Sequence, residues 1–129
     1  MNLDILKEKT LLIAEDDTNS RLLIEEFLSE YVNNLIFARN GEQVVELVKE
    51  NEEIDIILMD FNLPVLSGFE ASEKIKEFSN VTIIAQTASL LTKETQLKLN
   101  RYFDDYILKP FNREDLINII CKHLCVKDI

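Results

Sequence analysis

The sequence predicts an α/β domain in which a parallel sheet is covered by helices on both faces. Short apolar runs alternate with stretches of helical periodicity five times along the 129 residues. Each run and the helix after it together take about 20–25 residues, a length typical of β-α units. Runs that stay apolar at nearly every position indicate strands buried on both faces, and such strands form parallel sheets between helical layers.

The five predicted strands are short, and each is followed by a predicted amphipathic helix. The strands are Thr10–Ala14, Asn34–Ala38, Ile54–Asp60, Val81–Gln86 and Asp105–Lys109. The helices are Thr18–Tyr31, Glu42–Asn51, Gly68–Phe78, Thr92–Asn100 and Asn112–Val126. Asn112 is predicted to cap the last helix, because an asparagine side chain accepts hydrogen bonds from the N–H groups of a first helical turn.

Length and composition predict a single domain over residues 1–129, and the predicted strands and helices place its core at about residues 10–126. Apolar residues make up 47% of the chain, which argues against a disordered protein. No apolar run approaches the length of a membrane span, and the N-terminal residues lack the apolar segment of a signal peptide. We therefore predict a cytoplasmic domain without membrane contact. The net charge of -10 argues against direct nucleic-acid binding, which depends on basic charge.

The last predicted helix carries Cys121, His123 and Cys125, a set that superficially resembles a metal site. Helical geometry places His123 away from the two cysteines, so the set does not match the ligand arrangement that zinc needs. We interpret the three side chains as structural residues of a reduced, intracellular protein.

Polar side chains follow four of the five predicted strands. In an open α/β sheet the functional crevice lies beyond the carboxyl ends of the strands, so these side chains are expected to meet. They are Glu15, Asp16 and Asp17 after the first strand, Asp60 after the third, Thr87 after the fourth and Lys109 at the fifth.

This set of residue types indicates phosphoryl chemistry. Carboxylates that lie close together repel one another unless a cation joins them, and oxygen ligands of this kind suit Mg²⁺. Glu15 and Asp16 are the candidate metal ligands. A lysine, a hydroxyl group and a divalent ion together can bind a phosphoryl group in transfer, which assigns Lys109 and Thr87. Asp60 is the candidate nucleophile, since a carboxylate can form an aspartyl-phosphate.

Four segments at these strand ends resemble the receiver domains of two-component response regulators. LLIAEDD is similar to the first strand and acidic pair of that family, and IILMDFNLPVLSG to its phosphoacceptor segment. IIAQTAS is similar to the strand that carries the switch threonine, and DDYILKPF to the segment with the switch aromatic residue and the Lys-Pro bond. The resemblance extends from about Thr10 to Val126, and all four segments occur in the family's order.

The resemblance implies a flavodoxin-like, doubly wound fold with five helices and five parallel strands in the order 2-1-3-4-5. It implies that Asp60 accepts a phosphoryl group from a phosphohistidine on a histidine kinase or a histidine phosphotransfer protein. By the same resemblance Mg²⁺, or Mn²⁺ in its place, is held by Asp16, Asp60 and the backbone carbonyl of Asn62, with Glu15 acting through water.

The resemblance also implies a switch. Lys109 and the Thr87 hydroxyl bind the phosphoryl oxygens, and Tyr106 changes rotamer as Thr87 moves inward. The face formed by the fourth helix, the fifth strand and the fifth helix then changes shape, and a homodimer can form through it. The Lys109–Pro110 bond is expected to be cis, because an X-Pro bond adopts that form at little cost. The loop-shaping residues are Pro64, Gly68 and Pro110.

The sequence departs from the commoner family pattern in three respects. Glu15 and Asp16 stand in place of two aspartates, and together with Asn19 this pattern resembles the receivers of hybrid sensor histidine kinases. Asn100 is expected to end the fourth helix in the left-handed conformation, because the glycine that is common before the fifth strand is missing. Ser67 stands where aspartate is frequent.

Each of these residues also has a structural interpretation. The acids after the first strand could cap the first helix. Asp60 could be a structural acid paired with Lys109, as in a pseudo-receiver that serves as an interaction module. Thr87 could be an ordinary strand residue and Tyr106 a packing residue. The agreement of four strand ends favours the phosphoacceptor interpretation.

Two other functional classes fit the sequence less well. A phosphatase with an aspartate nucleophile needs a second acid two residues later, where this chain has Asn62. A flavin- or nucleotide-binding module needs a phosphate-binding loop after the first strand, whereas EDDTNS is acidic and repels phosphate.

Overall fold

The computed structural model describes residues 3–88 and 92–124 and contains the five predicted β-α units. The strands are β1 (Thr10–Ala14), β2 (Asn34–Ala38), β3 (Ile56–Asp60), β4 (Thr82–Thr87) and β5 (Asp105–Leu108). The helices are α1 (Thr18–Leu28), α2 (Gly41–Glu50), α3 (Gly68–Lys76), α4 (Lys93–Tyr102) and α5 (Arg113–Leu124). A short 3₁₀ helix, Leu3–Glu8, precedes β1 and was not expected from the sequence.

The five strands form one parallel sheet in the order β2-β1-β3-β4-β5. This order confirms the doubly wound fold predicted from the sequence. The chain changes direction across the sheet between β1 and β3, which lie side by side near its centre. A functional crevice is expected beyond the carboxyl ends of these two strands, because strand order reverses there.

Side chains alternate between the two faces of the sheet and so divide the core into two parts. Leu11 and Ile13 of β1 pack in the cluster that also contains the buried residues of α1 and α5. Leu12 and Ala14 pack in the other cluster, with the buried residues of α2, α3 and α4. Every residue of β1 and β3 is buried, which explains why these runs are apolar except at Thr10 and Asp60.

Each helix begins at a polar side chain that accepts a hydrogen bond from the first turn. The prediction for Asn112 is confirmed, since its Oδ1 accepts from the N–H of Asp115 at 2.8 Å. Ser67, which departs from the family pattern, forms a reciprocal capping box with Glu70 and starts α3. The caps are Asp17, Asn40, Ser67, Thr92 and Asn112.

Two glycines lie where the backbone passes too closely for a side chain. A Cβ atom on Gly68 would lie 2.2 Å from the carbonyl oxygen of Asp60, and one on Gly41 would lie 2.0 Å from that of Leu66. The N–H of Gly68 also donates to the carbonyl of Phe61 at 3.0 Å. The start of α3 is therefore held directly against the end of β3.

The expected left-handed helix end at Asn100 was wrong. α4 continues through Asn100 to Tyr102, and Phe103 follows in the extended conformation, with its N–H donating to the Leu99 carbonyl at 3.1 Å. Phe103 is buried in the cluster under α2, α3 and α4. Burial of this ring draws the chain out of the helix and leads it into β5, so a left-handed residue is not needed.

The C-terminal helix is described as far as Leu124. Within it Cys121 is buried against the sheet, and His123 Nε2 lies 2.9 Å from Asp105 Oδ2 on β5. Cys125 and Val126, which entered the sequence predictions, lie outside the described residues. α1 ends at Leu28, three residues earlier than predicted.

Candidate functional site

The carboxyl ends of three strands bring Glu15, Asp60 and Lys109 together. Glu15 directly follows β1, Asp60 is the last residue of β3, and Lys109 directly follows β5. Lys109 Nζ lies 2.8 Å from Asp60 Oδ2 and 3.3 Å from Glu15 Oε1. Glu15 is 2% exposed and Asp60 is 7% exposed, so the ammonium group of Lys109 pairs with two buried carboxylates.

Burial and the charges of neighbouring groups both act on the pKa values of Glu15 and Lys109. Burial and the neighbouring negative charge of Asp60 raise the pKa of Glu15 to about 7. Partial burial lowers the pKa of Lys109, but its hydrogen bond with Asp60 and the charges of both acids outweigh burial and leave that pKa above its ordinary value. The cluster therefore holds more negative charge than Lys109 neutralises.

A third acid completes a group of oxygen ligands. Glu15, Asp16 and Asp60 each offer one carboxylate oxygen, and these atoms lie within 4.8 Å of one another. Asp16 is exposed while the other two are buried, so the group opens to solvent on one side. Hard oxygen donors with excess negative charge suit Mg²⁺, and its remaining positions can be filled by water. The donor set fits this ion.

Asp17 does not belong to this group. Its carboxylate accepts from Ser20 N–H at 2.9 Å and from Ser20 Oγ at 2.7 Å, and these bonds hold the pKa of Asp17 below its ordinary value. The structural interpretation of the acidic run is therefore correct for Asp17, which caps α1. Glu15 and Asp16 lie in the acid cluster instead.

The loop after Asp60 approaches its carboxylate. The N–H of Asn62 donates to Asp60 Oδ1 at 3.0 Å, so the backbone of Asn62 lies beside the candidate metal ligands. Pro64 accepts hydrogen bonds through its carbonyl from the N–H groups of Gly41 and Leu66. The loop is thus tied both to α2 and to the end of β3.

The remaining predicted residues lie on β4 and β5. Thr87 is buried at the end of β4, one residue beyond the position that pairs with Asp60, and its carbonyl accepts from the N–H of Lys109 at 2.9 Å. Tyr106 is 39% exposed on β5. The Lys109–Pro110 bond is cis, as expected.

A comparison with known proteins identifies the family. The family model for the response regulator receiver domain matches residues 11–121. The chain belongs to this family. It is a receiver domain of two-component signalling, and the phosphoacceptor role fits its acid pocket of Glu15, Asp16 and Asp60.

Similar proteins include a much longer sensor kinase. Over 112 residues the chain is 36% identical to the autoinducer 1 sensor kinase/phosphatase LuxN of Vibrio campbellii. The match covers 86% of this chain and 13% of LuxN, so the chain spans a small part of that relative.

Two solved receiver structures have the same fold. The receiver domain of the sensor histidine kinase PA1611 from Pseudomonas aeruginosa, with a magnesium ion in its active-site cleft, has a TM-score of 0.83 and 31% identity, covering 91% of this chain and 98% of that one. A chain of the co-crystal structure of the Saccharomyces cerevisiae phosphotransfer protein Ypd1 with the Ssk1 receiver has a TM-score of 0.86 and 29% identity, covering 96% and 94%.

Sequence reasoning missed one residue beside the receiver site. Gln86 precedes Thr87 on β4 and is 0% exposed, and among the described residues neither its Nε2 nor its Oε1 has a hydrogen-bond partner. The signal was present, since this glutamine directly follows the apolar residues Ile83, Ile84 and Ala85.

No helix in the described parts of the chain is both long and apolar enough to span a membrane.

Proposed function

We propose that Asp60 is the phosphoacceptor of this receiver domain and takes its phosphoryl group from a phosphohistidine. The observation that carries the proposal is the position of Asp60 at the end of β3, 2.8 Å from Lys109 and among three clustered carboxylates. In the transfer a carboxylate oxygen of Asp60 bonds to phosphorus while the bond from phosphorus to the donor imidazole breaks. The imidazole nitrogen keeps the electron pair and is left to bind a proton.

Lys109 and Thr87 have separate roles in this proposal. Lys109 neutralises Asp60 before transfer and afterwards pairs with a phosphoryl oxygen, for which a lysine ammonium is well suited. The Thr87 hydroxyl donates to a second oxygen. Thr87 ends β4, which pairs with the strand of Asp60, and Lys109 follows β5, which pairs with β4. The sheet therefore places both residues near the acceptor before transfer.

A divalent ion would be held by Glu15, Asp16, Asp60 and the backbone carbonyl of Asn62. When bound, Mg²⁺ supplies positive charge that offsets the charge developing on the phosphoryl oxygens. Mn²⁺ prefers similar oxygen ligands and is included in the proposal. Burial and the negative charge of Asp60 both raise the pKa of Glu15, and a divalent ion beside these carboxylates would oppose both effects.

Phosphorylation is proposed to act on the face formed by α4, β5 and α5. Thr87 moves toward the new phosphoryl group, and Tyr106 follows between rotamers. Leu97, Tyr106 and Leu108 are exposed on α4 and β5, which supports this face as a surface for homodimer formation.

The donor is proposed to be a histidine kinase or a histidine phosphotransfer protein. The Ssk1 receiver in complex with Ypd1 and the sensor kinase relative LuxN support this choice. The domain would then act in the cytoplasm, as part of a hybrid kinase or as a separate regulator, and would contact neither membrane nor nucleic acid. It would serve as a phosphoryl acceptor and not as an enzyme that turns over phosphate esters.

Incubation of the protein with acetyl phosphate and Mg²⁺ tests the assignment. We expect an acid-stable, base-labile mass gain of one phosphoryl group that is lost in Asp60→Asn. Asp16→Asn should slow the reaction strongly, whereas Asp17→Asn is the matched control and should leave the rate nearly unchanged. The carboxylate of Asp17 caps α1 and lies outside the acid cluster.

The other outcomes identify the alternatives. Absence of the mass gain in a folded protein, together with retained partner binding, would show a pseudo-receiver in which Asp60 and Lys109 are a structural pair. Continuous release of phosphate from phosphate esters would show a hydrolase. Equal slowing by Asp16→Asn and Asp17→Asn would contradict the proposed metal ligands.

A further inference from the structure

Gln86 is the direct neighbour of Asp60 in the sheet. The two residues are register partners on the parallel strands β4 and β3, and the N–H of Phe61 donates to the carbonyl of Gln86 at 2.9 Å. Neighbouring strands lie about 4.8 Å apart, so the side chains of register partners on one face are within reach of each other. The hydrogen-bonded backbone therefore holds a glutamine beside the candidate phosphoacceptor.

Both side chains lie on the face of the sheet that is covered by α1 and α5. The preceding register pair on this face, Leu58 and Ile84, packs in the cluster that contains the buried residues of those helices. Since successive strand residues point to opposite faces, Asp60 and Gln86 return to the same face two positions later. On its other side Gln86 is in register with Ile107, which is apolar and buried. Of its two register partners, Asp60 is thus the polar one.

The amide of Gln86 is closed off from solvent and from any ligand. Its Nε2 and Oε1 are fully buried, and neither is paired among the described residues. A hydrogen-bond partner must therefore come from a neighbouring side chain of the protein. A buried amide that lacks a partner costs free energy, so a state of the protein that supplies one is favoured over a state that does not.

In the unphosphorylated protein Asp60 already has a donor on each carboxylate oxygen. Its Oδ2 accepts from Lys109 Nζ at 2.8 Å, and its Oδ1 accepts from the N–H of Asn62 at 3.0 Å. In the proposed transfer one of these oxygens bonds to phosphorus, and Lys109 pairs with a phosphoryl oxygen. The acyl group of Asp60 thereby loses its charged donor. The amide of Gln86 lies on the adjacent strand and on the same face, where it can replace that donor.

We propose that Gln86 is a further residue of the phosphorylation site, and that its side-chain N–H group donates a hydrogen bond to the acyl oxygen of Asp60 once Asp60 carries a phosphoryl group. Rotation about the side-chain torsions of Gln86 makes this contact, while its backbone stays paired in the sheet. The amide is then paired in the phosphorylated state and unpaired in the resting state, so it favours the phosphorylated state. The inference rests on the proposed phosphoacceptor role of Asp60.

The test is a titration of the protein with beryllofluoride in saturating Mg²⁺, followed by NMR. Beryllofluoride bonds to a carboxylate oxygen and stands in for the phosphoryl group, so its affinity measures the free-energy difference between the two states. We expect one of the two Nε2 protons of Gln86 to move downfield on saturation, as its hydrogen bond forms. Gln86→Met keeps the length of the side chain without the N–H donor. We expect it to bind beryllofluoride about tenfold more weakly, which is the effect of one hydrogen bond.

Unfolding of the unphosphorylated variants separates this role from ordinary packing. Gln86→Met and Gln86→Leu remove a buried amide that has no partner, so both should be at least as stable toward urea as the unaltered protein. Gln86→Leu also supplies the affinity comparison if the methionine variant does not fold. Thr82→Val is the matched control and should leave the affinity for beryllofluoride unchanged. Thr82 lies on the same face of β4, at the opposite end of the strand.

Three results would overturn the proposal and leave the phosphoacceptor role intact. They are equal affinity of the unaltered protein and Gln86→Met for beryllofluoride, an unchanged position of the Nε2 protons on saturation, and a loss of stability in both unphosphorylated variants. The last result would show that the amide already has a partner in the resting state. If the unaltered protein bound beryllofluoride no better than Asp60→Asn, the phosphoacceptor role itself would fail, and this inference with it.

Discussion

Two acids of this receiver domain, Glu15 after the carboxyl end of β1 and Asp105 at the start of β5, have opposite electrostatic surroundings. Glu15 shares the single cation Lys109 with Asp60, and burial with the charge of Asp60 raises its pKa to about 7. Burial also acts to raise the pKa of Asp105, but hydrogen bonds from His123, from the N–H of Tyr106 and from Lys122 outweigh it and leave that pKa below its ordinary value.

The two acids differ in the number of positively charged or hydrogen-bonding partners around their carboxylates. Around Asp105 one carboxylate meets Lys122 Nζ at 3.1 Å and His123 Nε2 at 2.9 Å, and the contacts join β5 to α5. Around Glu15 the carboxylates outnumber the cations, and what is missing is positive charge. A divalent ion supplies that charge in the proposed function. In this domain the acids that outnumber their cations belong to the proposed phosphorylation site, whereas Asp105, with two partners, joins β5 to α5.

The largest effect should come from removing the charge of Glu15. In the metal-free protein the folded pKa of about 7 exceeds the ordinary value of 4.5, so the native state binds more protons than the unfolded state between these values. The unfolding free energy should therefore fall as the pH rises through this interval. Glu15→Gln should abolish that fall and be more stable than the unaltered protein by about 2 kcal/mol near pH 8. Urea unfolding across the pH range measures both.

Glu26→Gln is the matched control for this measurement, because Glu26 is an exposed acid on α1. It should leave the pH dependence unchanged. Saturating Mg²⁺ should stabilise the unaltered protein at high pH and remove most of the difference from Glu15→Gln, since the ion supplies the missing charge. If the unfolding free energy of Glu15→Gln still fell as the pH rose, another group would bind the proton, and Glu15 would not have the raised pKa.

The positions of Asp60 and Lys109 could be predicted from the sequence, but the electrostatic surroundings of the acids could not. Asp60 and Lys109 were predicted to meet because a doubly wound sheet sends the ends of β3 and β5 to one edge. This prediction needs only the order of the short apolar runs along the chain. The raised pKa of Glu15 depends on how deeply its carboxylate is buried, and the unpaired amide of Gln86 depends on which side chains surround it. Both are properties of the packed structure.

Backbone strain also distinguishes the loop beside the acid cluster. Val65 follows Pro64 with φ of 69°, and the N–H of Leu66 donates to the carbonyl of Pro64 at 2.7 Å, which makes a γ-turn of the rare, strained form. A β-branched residue is poorly suited to this conformation. Val65 is 76% exposed, so its side chain gains little from burial in return.

Val65→Asn should therefore stabilise the protein by about 1 kcal/mol, because asparagine adopts positive φ more readily. Val65→Thr is the control and should give no gain, since threonine is polar but keeps the branched Cβ. Thermal unfolding of both variants measures the difference. A gain of the same size in Val65→Thr would trace the effect to lost apolar exposure and not to the backbone.

The smallest effect is expected at Asp105, and it should have the opposite sign to that at Glu15. Asp105→Asn should lower the unfolding free energy near neutral pH by about 0.5–1 kcal/mol, a value kept small because solvent screens a partly exposed pair. The pKa of Asp105 lies below its unfolded value, so its contribution is present above about pH 4 and is lost as the pH falls through the folded pKa. The two stability curves should therefore converge in acid and separate at neutral pH. High salt should narrow the gap as well. If Asp105→Asn were instead stabilising at neutral pH, then partner number would not explain the opposite shifts, and burial alone would have to distinguish the two acids.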